Sequence, residues 1–446
     1  MTKERTGREL SPEEKREARF SRWLAPPGVT FPSTDAEEGY RQRVTRFIKA
    51  IKLEEADRVP VILPAGVSPA YYAGSTLKGV MYDYEELARA WLKFLNYFEM
   101  DTFSGPAMVP SAKALEIIDS KMTCWPGHGL GDDARSQQFV EGEYMMADEY
   151  DAFTKDPRDF LMRSFLPRAA GAFGGFRKLK PGTLPMTIPL VYCAQFGDPD
   201  VRASIEALLE AGREVAKWHQ VVNDVGRVAL MRGLPSFYGG MSGAPFDFIG
   251  DALRGTRGIM TDMYRRPGKL LEAMERVAPL LIEDGVNGAD ASGCPIVFIP
   301  LHKGTGGFMS QKQFETFYWP TLRKVMLGLI EEGLVPLPFA EGDYGPRLET
   351  ICDMPGASVI WHFEAMDMAS AKQIVGRTQC IMGNVPVSLL CTGSSARVKE
   401  ACRRLIEACA PHGGYILAGA ASVGEASPEN LRAMTESVRE YGVYRK

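Results

Sequence analysis

"LVPLPFAEGDYGPRLETICDMPGASVIWHFE", residues 334–364, holds two short apolar runs, 334–340 and 358–363, joined by a connection marked by glycine and proline. Runs that are apolar along their whole length, rather than alternating, suit strands covered on both faces. Further runs of this kind lie at 228–238 ("VALMRGLPSFY"), 295–301 ("PIVFIPL"), 379–385 ("QCIMGNV") and 414–420 ("GYILAGA"). Amphipathic helical patterns fall between most of them, at 311–332, 367–375, 394–409 and 428–440. Two of these carry start signals, Ser310 before "QKQFETF" and Ser427-Pro428-Glu429. Strands alternating with helices call for a parallel sheet wrapped by helices. At this repeat number the expected fold is α/β, a closed (β/α)8 barrel, with an open doubly wound sheet second. No Gly-x-Gly-x-x-Gly follows the first strand, which disfavours a dinucleotide-binding sheet.

Outward from this half, residues 1–38 are charged and then proline-rich ("LAPPGVTFPST") and read as an N-terminal arm. The barrel is expected over 39–446, opening with a helix that runs into the strand of "RVPVILPAG". Helices are expected at 83–98 and 203–220. Residues 105–185 are rich in Gly, Pro and aromatics with weak periodicity, and read as an elaborated insertion covering one end of the core.

The 446 residues are 45% hydrophobic and 24% charged, enough for a large core. The formal net charge of −4 lacks the basic footprint of a nucleic-acid binder. No apolar run has the length of a membrane span, and "MTKERTGRELSPEEKREARF" lacks the apolar centre of a secretory signal. A cytoplasmic protein is expected. The eight cysteines include no C-x-x-C pair and read as free thiols.

With five histidines in the chain, each is worth weighing. Barrel enzymes build their sites at the C-terminal strand ends. Glu341, His302, His362 and Asn384 each end a different expected strand and should meet at one mouth, where Glu341, His362 and Asn384 are the catalytic candidates. Glu341 taken alone is a carboxylate at a strand-to-loop turn, and His362 taken alone a core histidine. Together they favour a metal site, since carboxylate and neutral imidazole both bind zinc and a catalytic zinc takes three protein ligands. His302 is the best-placed third donor, or else a substrate contact. Cys380 ranks below it, because it starts its strand and faces the far end. Glu364 orients His362 or is solvated. Arg347 clamps an anionic group or pairs with Asp343. In "MSGAPFDF", Phe246 and Phe248 wall a substrate pocket or cap the strand. No Gly-x-Ser-x-Gly, P-loop, His-Glu-x-x-His or Cys-x-x-Cys is present.

The stretch "SGAPFDFIGDALRGTRGIMTDMYRRPGKLLEAMERV" (242–277) resembles the uroporphyrinogen decarboxylase superfamily, with its Gly-Ala-Pro-Phe turn before a helix. The similarity continues through "FMSQKQFETFYWPTLRKV", "CIMGNVPVSLL" and "GGYILAGAASVGEASPENLRAMTESVREYG", and "RVTRFIKAIKLEEADRVPV" resembles the family's opening. It covers about 39–443 and implies a (β/α)8 barrel. The haem-pathway decarboxylase holds porphyrinogen acetates with an arginine-containing stretch after its first strand. Here that stretch is "VILPAGVSPAYYAG", which has no arginine, so uroporphyrinogen decarboxylation is not expected.

Among the superfamily's cobamide-dependent methyltransferases, the thiol-activating members bind zinc through His-x-Cys and a later Cys, positions occupied here by Phe339, Glu341 and Ala421. Glu341 and His362, with twenty residues between them, resemble instead part of the zinc motif of O-demethylase methyltransferases. The motif's further Glu, fifteen positions upstream, is Met326 here. The resemblance implies zinc as Lewis acid and methyl transfer from an aryl methyl ether, a small aromatic donor, to cob(I)alamin. The Asp-x-His-x-x-Gly motif of corrinoid carriers is absent ("PLHKGTG" is the nearest string), so the cobalamin is expected on a separate corrinoid protein. A homodimer is left open as the assembly. Two rivals remain: a metal-independent carboxy-lyase acting on a non-porphyrin acid held by Arg347 or Lys303, and a non-catalytic relative that binds a tetrapyrrole or a protein.

Overall fold

A computed structural model describes residues 10–180 and 192–444. The strands in chain order are β1 (Val61–Ile62), β2 (Thr123–Pro126), β3 (Gly129–Leu130), β4 (Gln138–Phe139), β5 (Gly240–Met241), β6 (Ile296–Leu301), β7 (Val335–Ala340), β8 (Ile360–Phe363), β9 (Cys380–Met382) and β10 (Tyr415–Ala418). Seven of these form one sheet in the order β1-β10-β9-β8-β7-β6-β5, every neighbour parallel. The sheet curls with β1 and β5 at its two edges, and helices cover its outside. This is the barrel the sequence calls for, with seven strands in its ladder among the described residues.

The eighth place, between β1 and β5, is bridged by residues 101–103. Phe103 N–H donates to Pro235 O (3.3 Å) and Thr102 Oγ1 to the same carbonyl (2.8 Å). On the other side the Asp101 carboxylate accepts Val61 N–H (2.9 Å) and is clamped by Arg46 and Arg58 at 2.8 and 2.7 Å.

Alternation along the strands sorts the side chains. Ile62, Ile296, Val335, Leu337, Ile360, Met382 and Ile416 cluster in the lumen. Val297, Ile299, Leu301, Ala340, Trp361 and Phe363 face the helices. The lumen cluster continues downward into two helices, α1 (Pro12–Leu24) and α2 (Thr34–Ile51), through Phe20, Trp23, Val44 and Phe47. Within 1–38, therefore, α1 lies under the barrel. It starts at a capping box between Ser11 and Glu14, and Arg16 and Arg19 donate to Ala357 O (2.9 Å) and Glu332 O (2.7 Å) below β8 and β7. Gly333 has φ +73°, and a Cβ there would lie 2.6 Å from the α1 backbone, so the turn into β7 requires glycine.

The expected helices at 394–409 and 428–440 stand at Ser395–Cys409 and Pro428–Glu440. Ser310 forms its capping box with Gln313, whereas the Ser427 hydroxyl donates to the Glu429 carboxylate instead of accepting a backbone N–H. One strand expectation is corrected. Residues 228–231 close a helix running Pro199–Met231, and the strand is confined to β5. "VALM" keeps the helical period, and Gly233 with Pro235 then ends it. The stretch 105–185 contains the small sheet β3-β2-β4 and short helices over 106–178; its residues 181–185 lie outside the described residues.

Candidate active site at the barrel mouth

Register places the candidate side chains in layers. Leu301 pairs with Ala340 and Ala340 with Phe363, so His302, Glu341 and Glu364 come level just beyond the strand ends, with Asn384 beside them. One layer down, about 6–7 Å deeper for two strand residues, Phe339 pairs with His362 and His362 with Met382. The sequence-derived quartet therefore faces one lumen, with His362 beneath the other three.

His302 is held at both ring nitrogens. Its Nδ1 is 2.6 Å from Asp251 Oδ2, and its Nε2 is 3.6 Å from Glu341 Oε1. The hydrogen bond that His302 Nδ1 donates to Asp251 raises the His302 pKa above the usual imidazole value. Burial pushes Asp251 up, but His302 and Lys303, which also pairs with it, together bring its carboxyl below the ordinary value. Glu341 is raised by burial, an effect that His302 partly offsets. Asp247 accepts the backbone N–H groups of His302 (2.9 Å) and Lys303 (3.0 Å) and the Tyr318 hydroxyl (2.5 Å). It fixes the turn at the end of β6, and burial lifts it to about 6.

His362 is buried, and its Nε2 lies 2.9 Å from Gly419 O, so that nitrogen carries the proton. Burial lowers its pKa to about 4, which keeps the ring neutral. Its Nδ1 has no hydrogen bond among the described residues.

Several assignments change. Arg347 is 1% exposed and does not face the mouth. Its guanidinium donates to Gly304 O (3.2 Å), Met309 O and Gln311 Oε1 (2.5 Å), and lies 4.7 Å over Phe314. It ties down the 304–311 loop and is not available to a substrate, and among the described residues it forms no ion pair with Asp343. Phe246 is fully buried against Tyr318 and Phe308, outside the lumen, and Phe248 packs against the same outer core. Apolar rings on a helix that faces its neighbours are core, so neither walls a pocket. Glu364 accepts Gly342 N–H (2.7 Å) rather than orienting His362. Asn384 donates its amide to Glu364 O and Met366 O (3.2 and 2.8 Å), holding the loop beside Glu341. Cys380 is fully buried low in the barrel. Asp247 and Asp251 were missed. Their signal is two carboxylates four apart on the helix after β5, on one helical face.

Two of the histidines are oriented as metal-binding histidines are. Metal-binding histidines engage one nitrogen with a carboxylate or carbonyl and present the other. His302 does this with Asp251, presenting Nε2, and His362 with Gly419 O, presenting Nδ1. Among the described residues, no three His, Cys, Asp or Glu side chains close on one point. His302 and Glu341 are the adjacent pair.

Residues 225–441 match the family model described as uroporphyrinogen decarboxylase (URO-D). Uroporphyrinogen decarboxylases of Azoarcus sp. and Aromatoleum aromaticum are each 26% identical, over 253 and 257 residues. These matches cover 54% of this chain but 65% and 66% of the relatives, just under two thirds of their length. A methyltransferase from Methanosarcina mazei is similar in structure, with a TM-score of 0.56 and 17% identity over 89% of this chain and 98% of its own. At that identity the likeness concerns the fold.

Proposed function

We propose that this chain, whose residues 225–441 match the uroporphyrinogen decarboxylase family model, moves a methyl group from a methoxylated aromatic to the corrinoid of a separate protein. The observation that carries the reading is the mouth layer, where Glu341 faces His302 Nε2 at 3.6 Å above a neutral, carbonyl-anchored His362. Zinc would be held by Glu341, His302 and His362, and would supply Lewis acidity to the ether oxygen as it becomes a phenolate.

The chain's own groups prepare that site. Asp251 fixes the His302 ring and keeps its Nδ1 as the donor nitrogen, so that Nε2 faces Glu341. Asp247 holds the turn carrying His302, and Asn384 holds the loop beside Glu341. Phe339, with its ring centroid 4.5 Å from that of His362, screens the lower donor from bulk water. The carboxy-lyase alternative needs a cation free to hold a carboxylate. Arg347 is engaged by backbone carbonyls and Lys303 by Asp251, which weakens that reading.

Elemental analysis of purified protein tests the metal. About one zinc per chain is expected, the complement of a single catalytic site, with loss in His362→Ala and Glu341→Ala. Incubation with methoxylated aromatics and a reduced corrinoid protein should yield methylcorrinoid. A folded, metal-reconstituted wild type without zinc would overturn the ligand assignment.

A further inference from the structure

The mouth layer is polar, but the wall beneath it is a staircase of rings that neither the zinc donors nor the loop anchors use. At its foot Tyr238 meets Phe298 edge to face, with centroids 5.5 Å apart. Phe298 stacks on Phe339 one step higher at 6.2 Å and 27°, and Phe339 meets His362 at 4.5 Å. Phe298 is level with Met241 on β5.

Access is one-sided. Met241 is 62% exposed and Tyr238 37%, although both sit on or beside a barrel strand, while Leu337, Ile360 and Ile416 on the rest of the lumen wall are at 0%. An apolar methionine open to solvent at a strand position, next to accessible rings, marks the side of a cleft rather than a packed core. The Tyr238 hydroxyl has no partner among the described residues; only the Tyr238 carbonyl is bonded, to Ser236 Oγ at 3.1 Å. A phenol with its ordinary pKa of about 10 is a neutral donor at ordinary pH. On the ring staircase between mouth and foot, Tyr238 is the one side chain that ends in a hydroxyl.

Building on the aryl-ether reading above, we infer that Tyr238, Met241, Phe298 and Phe339 seat the substrate's aromatic ring, and that the Tyr238 hydroxyl donates to an oxygen substituent on the end of the ring away from the mouth. The ring stacks along Phe298 and Phe339, where aromatic pairs prefer offset or tilted contact. Its reacting oxygen lies toward the His302–Glu341 layer, two steps above Phe298, with Tyr238 lower still. The substrate class is thus an aryl ether carrying a second oxygen on the far side of the ring. A saturated ring or a singly substituted one leaves the Tyr238 donor unmatched.

Calorimetric titration of the full chain with 4-methoxyphenol and with anisole tests this without any turnover. The wild type should prefer 4-methoxyphenol, and Tyr238→Phe should remove that preference, a change of about tenfold for one hydrogen bond. Phe298→Leu and Phe339→Leu should weaken both ligands. Tyr238→Phe binding 4-methoxyphenol as the wild type does, or no binding of either aromatic by wild type, overturns the seat. Methyl transfer is assayed separately. Ring binding that follows these substitutions without transfer to a reduced corrinoid protein upholds the seat and sinks the function proposed above. Transfer that ignores all three substitutions sinks the seat and leaves that function standing.

Discussion

Asp251 holds Nδ1 of His302 at 2.6 Å and pairs with the buried ammonium of Lys303, so its removal acts on two neighbours at once. Asp251→Ala frees the imidazole to turn and leaves Lys303 without its counter-charge. Outer partners of metal-bound histidines contribute roughly 10–100-fold to metal affinity or activity, and a loss in that range is expected for zinc affinity, measured by competition with a chelator. An unchanged affinity would remove Asp251 from the site. Arg347 gives the opposite expectation. Arg347→Lys loses the planar fork that reaches several carbonyls at once, so it should lower the melting temperature while leaving zinc content at the wild-type level. Zinc loss in a folded Arg347→Lys protein would return that residue to the mouth.

At the scale of elements, the weak point is the gap between β1 and β5, closed by Asp101 rather than by a regular strand. Its carboxylate is 1% exposed between Arg46 and Arg58 and also accepts the Val61 N–H. Breaking a buried pair costs about 3–5 kcal/mol, because the charge left behind has no partner, and Asp101→Ala should lose stability on that scale in urea unfolding. Nearby, burial pushes Asp57 up, but the hydrogen bond and charge of Arg46 hold its carboxyl below the ordinary value. A depressed carboxyl stabilises the fold above its unfolded pKa of 3.8 and loses that contribution as pH falls below it. Asp57→Asn should flatten the acid limb of the stability curve. These same features explain what the sequence made legible. β6 and β7 have six residues each, long enough for a run of apolar side chains to stand out. β5 has two, and the adjoining "VALM" belongs by period to the preceding helix. Glu341, His302 and Asn384 were readable because strand ends in a barrel share one mouth. The burial of Arg347 and Phe246 was not, since residue type says nothing about which side of a helix or loop meets the core.

For the whole molecule, the barrel has a closed floor and an open mouth, and the two are served by different residues. Phe20 and Trp23 of α1 are 2% and 3% exposed, packed with α2 beneath the lumen residues Val335 and Ile360. The charged character of 12–24 hides this, because only one face of the helix is apolar and its partner surface is built from strands three hundred residues away in the chain. In this barrel type the C-terminal face carries chemistry and the N-terminal face stability. Trp23→Ala should therefore cost about 3–5 kcal/mol, the usual loss for a large buried aromatic, seen as a lower denaturant midpoint at an unchanged slope. At temperatures where the variant is still folded, its zinc content and its affinity for 4-methoxyphenol should match the wild type, because the fully buried Val335, Leu337 and Ile360 stand between Trp23 and the mouth. If zinc or aromatic binding fell in step with stability, the mouth would depend on the floor, and the staircase of Tyr238, Phe298 and Phe339 would have to be its route.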